Sequence, residues 1–260
     1  MTSELGAVAR PLSAAGGLFG MFADVARASV RPPWAWREYV EQTWFVARVT
    51  TVPTALVAIP FGAVIALQLG SLTRQLGAQS YTGAASALAI IREAAPIATA
   101  LLVAGAAGTA ICADLGARKV REEIDAMEVL GIDPVRRLVV PRVMAAVTVA
   151  LLLNGFVAFV GIVGGYFFSV GMQGSSAGSY FAGFATLAQA PDLYVGAFKA
   201  ALFGLIAGVV ASYKGLTAKG GPQGVGDAVN AAVVLTFLLL FSVNFLVTAV
   251  YAEIVPPRGR

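Results

Sequence analysis

Apolar residues in this chain come in long blocks separated by short polar segments. Five blocks, at about 49–69, 84–112, 143–170, 193–213 and 229–252, are long enough to cross a membrane as helices. About 20 apolar residues cover a hydrocarbon core about 30 Å thick. The first block carries Pro53 and Pro60, which predict a kinked or broken helix whose freed carbonyls find partners on neighbouring helices. The third block, about 42 Å long if helical throughout, predicts a tilted span or one reaching beyond the bilayer core. The short connections predict antiparallel neighbours.

Ahead of the first block, Leu18, Phe22 and Val25, with Phe19 and Met21, recur at helical spacing within Leu12–Val30, interrupted by Asp24, Arg27 and Arg31. Trp34, Trp36, Tyr39 and Trp44 come next, mixed with Arg37, Glu38 and Glu41. An amphipathic, aromatic and basic segment predicts a helix lying in the membrane interface over residues 1–48. The other reading is a soluble N-terminal helix packed on a partner protein. Met1–Arg10 lacks the order of a signal peptide, which predicts a retained N-terminal segment.

One segment breaks the apolar pattern. Residues 113–142 read ADLGARKVREEIDAMEVLGIDPVRRLVVPR. Val120, Ile124, Met127 and Leu130 fall on one helical face, flanked by Arg121, Glu122, Asp125 and Glu128. Gly131 suits a helix C-cap, and Asp133-Pro134 suits an N-cap followed by proline at the first helical position, where a second short helix is expected. Such a helix fits either a groove on a cytoplasmic protein or the lipid headgroups. Glu122, Glu123, Asp125 and Glu128 favour the protein, since anionic headgroups repel them.

Composition narrows the chemistry. Hydrophobic residues make up 58% of the chain and charged residues 12%, half the share of a soluble domain. With no histidine and a single cysteine, Cys112, there is no disulfide, no metal set and no Cys/His dyad, so no catalytic or metal-ligating residue is assigned. Cys112 reads as a small buried apolar residue. With the N-terminus in the cytoplasm, segments 1–48, 113–142 and 214–228 hold thirteen Lys and Arg, against Arg74, Arg258 and Arg260 on the other side. That asymmetry predicts a cytoplasmic N-terminus and an extracytoplasmic tail at 253–260. Gly161-xxx-Gly165 and Gly204-xxx-Gly208 predict close helix packing.

The run Arg92–Arg142, REAAPIATALLVAGAAGTAICADLGARKVREEIDAMEVLGIDPVRRLVVPR, resembles the MlaE/YrbE permeases, and GLTAKGGPQGVGDAVN at 215–230 is similar to the last cytoplasmic loop of that family. The phrases ICADLGAR, REEIDAMEVLGIDP and RLVVPR are highly specific, and the likeness is nearest to the actinobacterial A-type YrbE subunits that accompany Mce proteins. The resemblance implies an all-α integral membrane fold, with an N-terminal interfacial helix, five membrane helices forming a permease domain over 49–252, and a cytoplasmic coupling helix in the 113–142 loop. It implies that Arg121, Glu122, Glu123, Asp125, Met127, Glu128, Asp133 and Pro134 dock on a separate ABC ATPase dimer that binds ATP and Mg. The chain itself has no G-x-x-x-x-G-K-[ST]. It further implies a second YrbE-type permease as heterodimer partner, an Mce hexamer outside, and a hydrophobic substrate in the plasma membrane: fatty or mycolic acids, most simply imported, or else phospholipids or sterols. Where several relatives carry arginine in the second span, this chain has Ala106.

Charges inside the spans mark functional paths, because each costs about 2.5–3.5 kcal/mol to insert. Arg92 and Glu93 lie near the outer end of the second span, and the resemblance places the matching pair beside the lipid pocket. The competing reading is a topology anchor that snorkels to the interface. Lys199 in the fourth span reads as snorkelling. Two other classes stand against transport driven by a partner ATPase. A membrane-embedded lipid-modifying enzyme would need a catalytic partner for Glu93, and none is evident in a span. A secondary carrier fits poorly, because five spans do not divide into equal inverted repeats.

Overall fold

In the computed structural model the described residues are 2–30, 32, 34–78, 81–172, 174, 176–178, 180–181 and 190–254, with side chains described from residue 15 onward except at 84 and 190. The fold is all-helical. Helix α1 is Thr2–Val30 and α2 is Trp36–Gln75. The next membrane helix is a composite of α3 (Thr82–Ala89), α4 (Ala95–Leu102) and α5 (Gly108–Val120), joined by π-helical turns at Ile90–Ala94 and Val103–Ala107. The short α6 is Glu123–Val129 and α7 is Val140–Gly171. Two long helices follow, α8 at Ala190–Leu216 and α9 at Gly221–Ile254.

Among the described residues, five helices are long and apolar enough to cross a membrane: Trp36–Gln75, Ala85–Val120, Val135–Gly171, Pro191–Leu216 and Gly221–Ile254. Their outward faces carry large exposed hydrophobics, such as Leu56, Phe61, Leu152, Phe159, Phe241 and Phe245. A polar solvent would oppose such faces and a bilayer accommodates them. Each helix runs past its apolar block. At 40 residues α2 is about 60 Å long, so its first turns, with Trp36, Tyr39 and Trp44, belong to a spanning helix and not to a separate interfacial one. Pro53 and Pro60 lie inside α2 without breaking it.

Helix α7 packs along α2 on one side and α8 on the other; α5 and α9 lie against α8 in turn. Glycines set these distances. A Cβ added to Gly62 would sit 2.7 Å from the Gly161 Cα, and one added to Gly204 would sit 2.7 Å from the Ala146 carbonyl oxygen. A Cβ at Gly208 would lie 3.1 Å from the Val143 Cα, and at Gly165 it would meet the Tyr180 hydroxyl at 3.2 Å. The core between these helices is small-residue rich, built on Ala107, Ile111, Leu115, Ala146, Ala207 and Val210. Helix α9 is the least covered span, with 11% of its most apolar stretch buried.

The polar 113–142 segment differs from its predicted form. Helix α5 continues the second span to Val120 and stops at a turn whose Glu122 adopts φ 61°, the only positive φ outside glycine among the described residues. The expected stripe of Val120, Ile124, Met127 and Leu130 is therefore cut in two. Ile124 is buried, whereas Leu130 is 74% exposed. Gly131, at φ 72°, ends α6 in a Schellman turn: the Ile132 amide donates to Met127 at 2.9 Å and the Gly131 amide to Glu128 at 3.0 Å. Asp133 caps the next helical run, its carboxylate accepting from the Val135 amide at 2.9 Å. No separate short helix forms there. A π-helical turn at Val135–Val139 runs directly into α7.

Candidate functional site

Two groups of charged side chains lie at opposite ends of the helix bundle. The first is at the end farthest from α6. There the Ile90–Ala94 π-turn presents Arg92 and Glu93 to α8 and α9. The Arg92 Nε donates to Asp192 Oδ1 at 2.6 Å, and the Tyr251 hydroxyl donates to the same oxygen at 2.7 Å. The guanidinium also stands over the Tyr251 ring, 5.5 Å from its centroid. Glu93 turns to a different set. Its Oε1 accepts from Lys199 Nζ at 3.0 Å and from the Thr248 hydroxyl at 3.1 Å, and Asn244 Nδ2 lies 3.5 Å from Oε2. Lys199 Nζ also donates to the Arg92 carbonyl at 3.1 Å and to Thr248 at 2.7 Å.

Two cations and two carboxylates thus neutralise one another across three helices. Asp192 and Lys199 are each 1% exposed, while the Arg92 and Glu93 side chains remain 35% and 41% exposed. Lys199 does not snorkel: the Glu93 carboxylate, the Thr248 hydroxyl and a backbone carbonyl replace the water an ammonium would otherwise seek. Asp192, Asn244, Thr248 and Tyr251 escaped sequence reasoning. Their partners are 49 to 155 residues away along the chain, and only the presence of polar residues in apolar spans hinted at them.

The second group sits at the α6 end. Arg142, fully buried at the start of α7, donates to Asp114 Oδ2 on α5 at 2.6 Å and to the Leu138 carbonyl at 2.8 Å, and lies 3.4 Å from Glu38 on α2. Asp114 also pairs with Arg118 at 3.3 Å; Arg118 reaches Glu123 on α6 at 3.4 Å, and Arg121 reaches Glu123 at 2.7 Å. Lys119 pairs with Asp125. A continuous chain of ion pairs therefore leads from α6 into the bundle. Beyond it, Val129, Leu130 and Ile132 project from the loop at 88%, 74% and 43% exposure, beside an exposed Glu128 that makes no ion pair among the described residues. Met127 packs against the core, and Pro134 opens the helical run capped by Asp133.

Residues 39–250 match the permease MlaE family. The chain belongs to that family. Similar proteins include a probable ABC transporter permease protein of Rickettsia bellii, 31% identical across 92% of both chains. Another, from Synechocystis, is 34% identical over 75% of this chain and 74% of its own. The intermembrane phospholipid transport system permease protein MlaE of Haemophilus influenzae is 30% identical over 73% of both. This MlaE-family chain is thus the membrane-spanning permease subunit of an ABC transporter and is not itself the catalytic subunit. The matched residues contain both groups except Glu38 and Tyr251, which lie one position outside the match at either end.

Proposed function

We propose that this permease moves a lipid through the membrane by coupling the α6 loop to a cytoplasmic ATPase, with the far charged group bordering the lipid path. The observation that carries this reading is the loop itself: an exposed apolar tip, Val129, Leu130 and Ile132, on a short helix tied by Glu123, Arg118 and Asp114 to the buried Arg142. A tip of that shape fits a groove on a soluble partner, and its ion pairs give the partner a rigid handle on α2, α5 and α7. Glu128 and Glu122 supply charge for docking, while Arg121, Glu123 and Asp125 hold the loop in shape. The loop then faces the cytoplasm, and the N-terminus lies on the same side.

The lipid is the finer part of the proposal. Similarity to the A-type YrbE subunits supports a heterodimer with a second permease, an Mce hexamer on the outer side, and import of fatty or mycolic acids. The Haemophilus influenzae relative, named for phospholipid transport, supports phospholipid as the second reading. The half of helix α9 beyond Leu239, where Phe241, Phe245, Leu246 and Val250 are exposed, is the natural face for the second permease. ATP and Mg then reside on the partner.

Purification in mild detergent, with mass spectrometry of co-purifying subunits and lipid, tests the assembly. We expect an ATPase, a second permease and a bound lipid; recovery of the chain without an ATPase overturns the coupling. Glu128→Arg is the sharper variant, because Glu128 has no ion pair to lose among the described residues. It should release the ATPase while leaving insertion intact, and unchanged co-purification would refute docking at this tip.

A further inference from the structure

A groove of about 700 Å³ lies at the α6 end of the bundle between α1 and α9, floored by α8. Ala15, Leu18 and Phe19 form one wall; Val234, Leu235 and Leu238 belong to the other. The polar part of the lining is Tyr213, Lys214 and Asn230. The volume lies within the range of small-molecule sites, about 300–1,000 Å³. From Asn230 to Leu239 the groove follows α9 for about 13 Å, all of it apolar after the first residue.

We propose that this groove binds one lipid with an anionic headgroup, its acid group on the Lys214 ammonium and its hydrocarbon chain lying along α9. Lys214 makes no ion pair among the described residues, so a cation stands at the polar end of an apolar trough. That is the charge pattern of an acidic amphiphile. A Cβ on Gly17 would fall 2.5 Å from the Tyr213 hydroxyl, so α1 rests directly on α8 beside the groove. A second copy of the chain packing groove to groove would set one Lys214 ammonium near another, which like charge disfavours. The site is separate from the Arg92–Glu93 group at the other end of the bundle. It rests on membrane residence and not on the transport reading.

Lys214 also stands in the last turn of α8, where a cation suits the helix dipole, so stability alone cannot test the site. The test is photolabelling of the full-length protein in phosphatidylcholine nanodiscs, using diazirine analogues of oleate, phosphatidylglycerol and phosphatidylcholine. We expect one or both acidic probes to label Leu18, Val234 or Leu238, and the phosphatidylcholine probe to label them far less. Comparing the two acidic probes separates a carboxylate source from a phosphate source. Lys214→Gln should lower acidic-probe labelling about tenfold, as loss of one charged hydrogen bond implies, and Lys214→Arg should retain it. Val234→Phe, which fills the trough without touching the charge, should also lower it. Equal labelling by all three probes, or labelling indifferent to Lys214→Gln, overturns the proposal in favour of ordinary annular lipid. Cross-linking to a second copy in place of lipid overturns it in favour of a dimer face. No ATP or partner is needed for this readout. Loss of transport with intact labelling would therefore count against the proposed function alone.

Discussion

Arg142 and Asp114, 28 residues apart in sequence, meet at 2.6 Å with the arginine side chain wholly buried. This pair holds the start of α7 to the end of α5, and Glu38 extends it to α2. A buried guanidinium in an apolar bundle is tolerable only with carboxylates and carbonyls around it. The three helices that bear on the α6 loop are therefore fixed to one another at a single point.

Replacing Arg142 by methionine should lower stability by about 2 kcal/mol. Asp114 is left without its strongest partner but is one-third exposed and can rehydrate, which keeps the loss below the roughly 3–5 kcal/mol of a fully buried pair. Adding Asp114→Asn should recover most of the loss. Thermal unfolding in detergent reads both, and a double variant no more stable than Arg142→Met would show that the pair is not the source.

The five spans were legible because about 20 apolar residues in a row leave a helix few other places to go. The turns around Gly131 and Asp133 were legible because capping chemistry is local. Helix α6 was misjudged for the same local reason: apolar spacing runs smoothly through Glu122, and nothing in the residue type announces a left-handed backbone there. The π-turn that aims Arg92 and Glu93 has no sequence signature. Lys199 was misread because its partner Glu93 is 106 residues away, and a lysine in a span looks the same whether it snorkels or is buried.

Lys199→Met should destabilise the permease by leaving Glu93 beside Thr248 and Asn244 without a cation. Glu93→Gln added to it removes the orphaned charge and should restore the unfolding midpoint toward wild type. Transport by the assembled complex should stay impaired in that stable double variant if the group borders the substrate path. Full transport in the double variant would make the group structural only.

Helix packing predicts a contrast between two glycines. Gly204→Val would drive a Cβ to within 2.7 Å of the Ala146 backbone oxygen and should cost about 1–3 kcal/mol, or prevent folding. Gly155→Ala meets nothing within 4 Å and should be neutral or slightly stabilising, since alanine favours helix. Comparable loss in both variants would show that the α7–α8 approach does not depend on Gly204.

Outside the spans, Tyr180 is 2% exposed, donates its hydroxyl to the Ile162 carbonyl at 3.1 Å, and lies against Gly83. Burial pushes its phenol up to about 12 from the ordinary 10. Its neutral form is thus favoured by folding, and its effect on stability is constant below about pH 10. Between about pH 10 and 12 the unfolded chain loses this proton while the folded one keeps it. Stability should therefore fall through that window by up to about 1.4 kcal/mol per pH unit from this group. Tyr180→Phe loses the hydroxyl's hydrogen bond at every pH but should flatten that part of the profile. An unchanged slope in the phenylalanine variant would show that the alkaline loss comes from other groups.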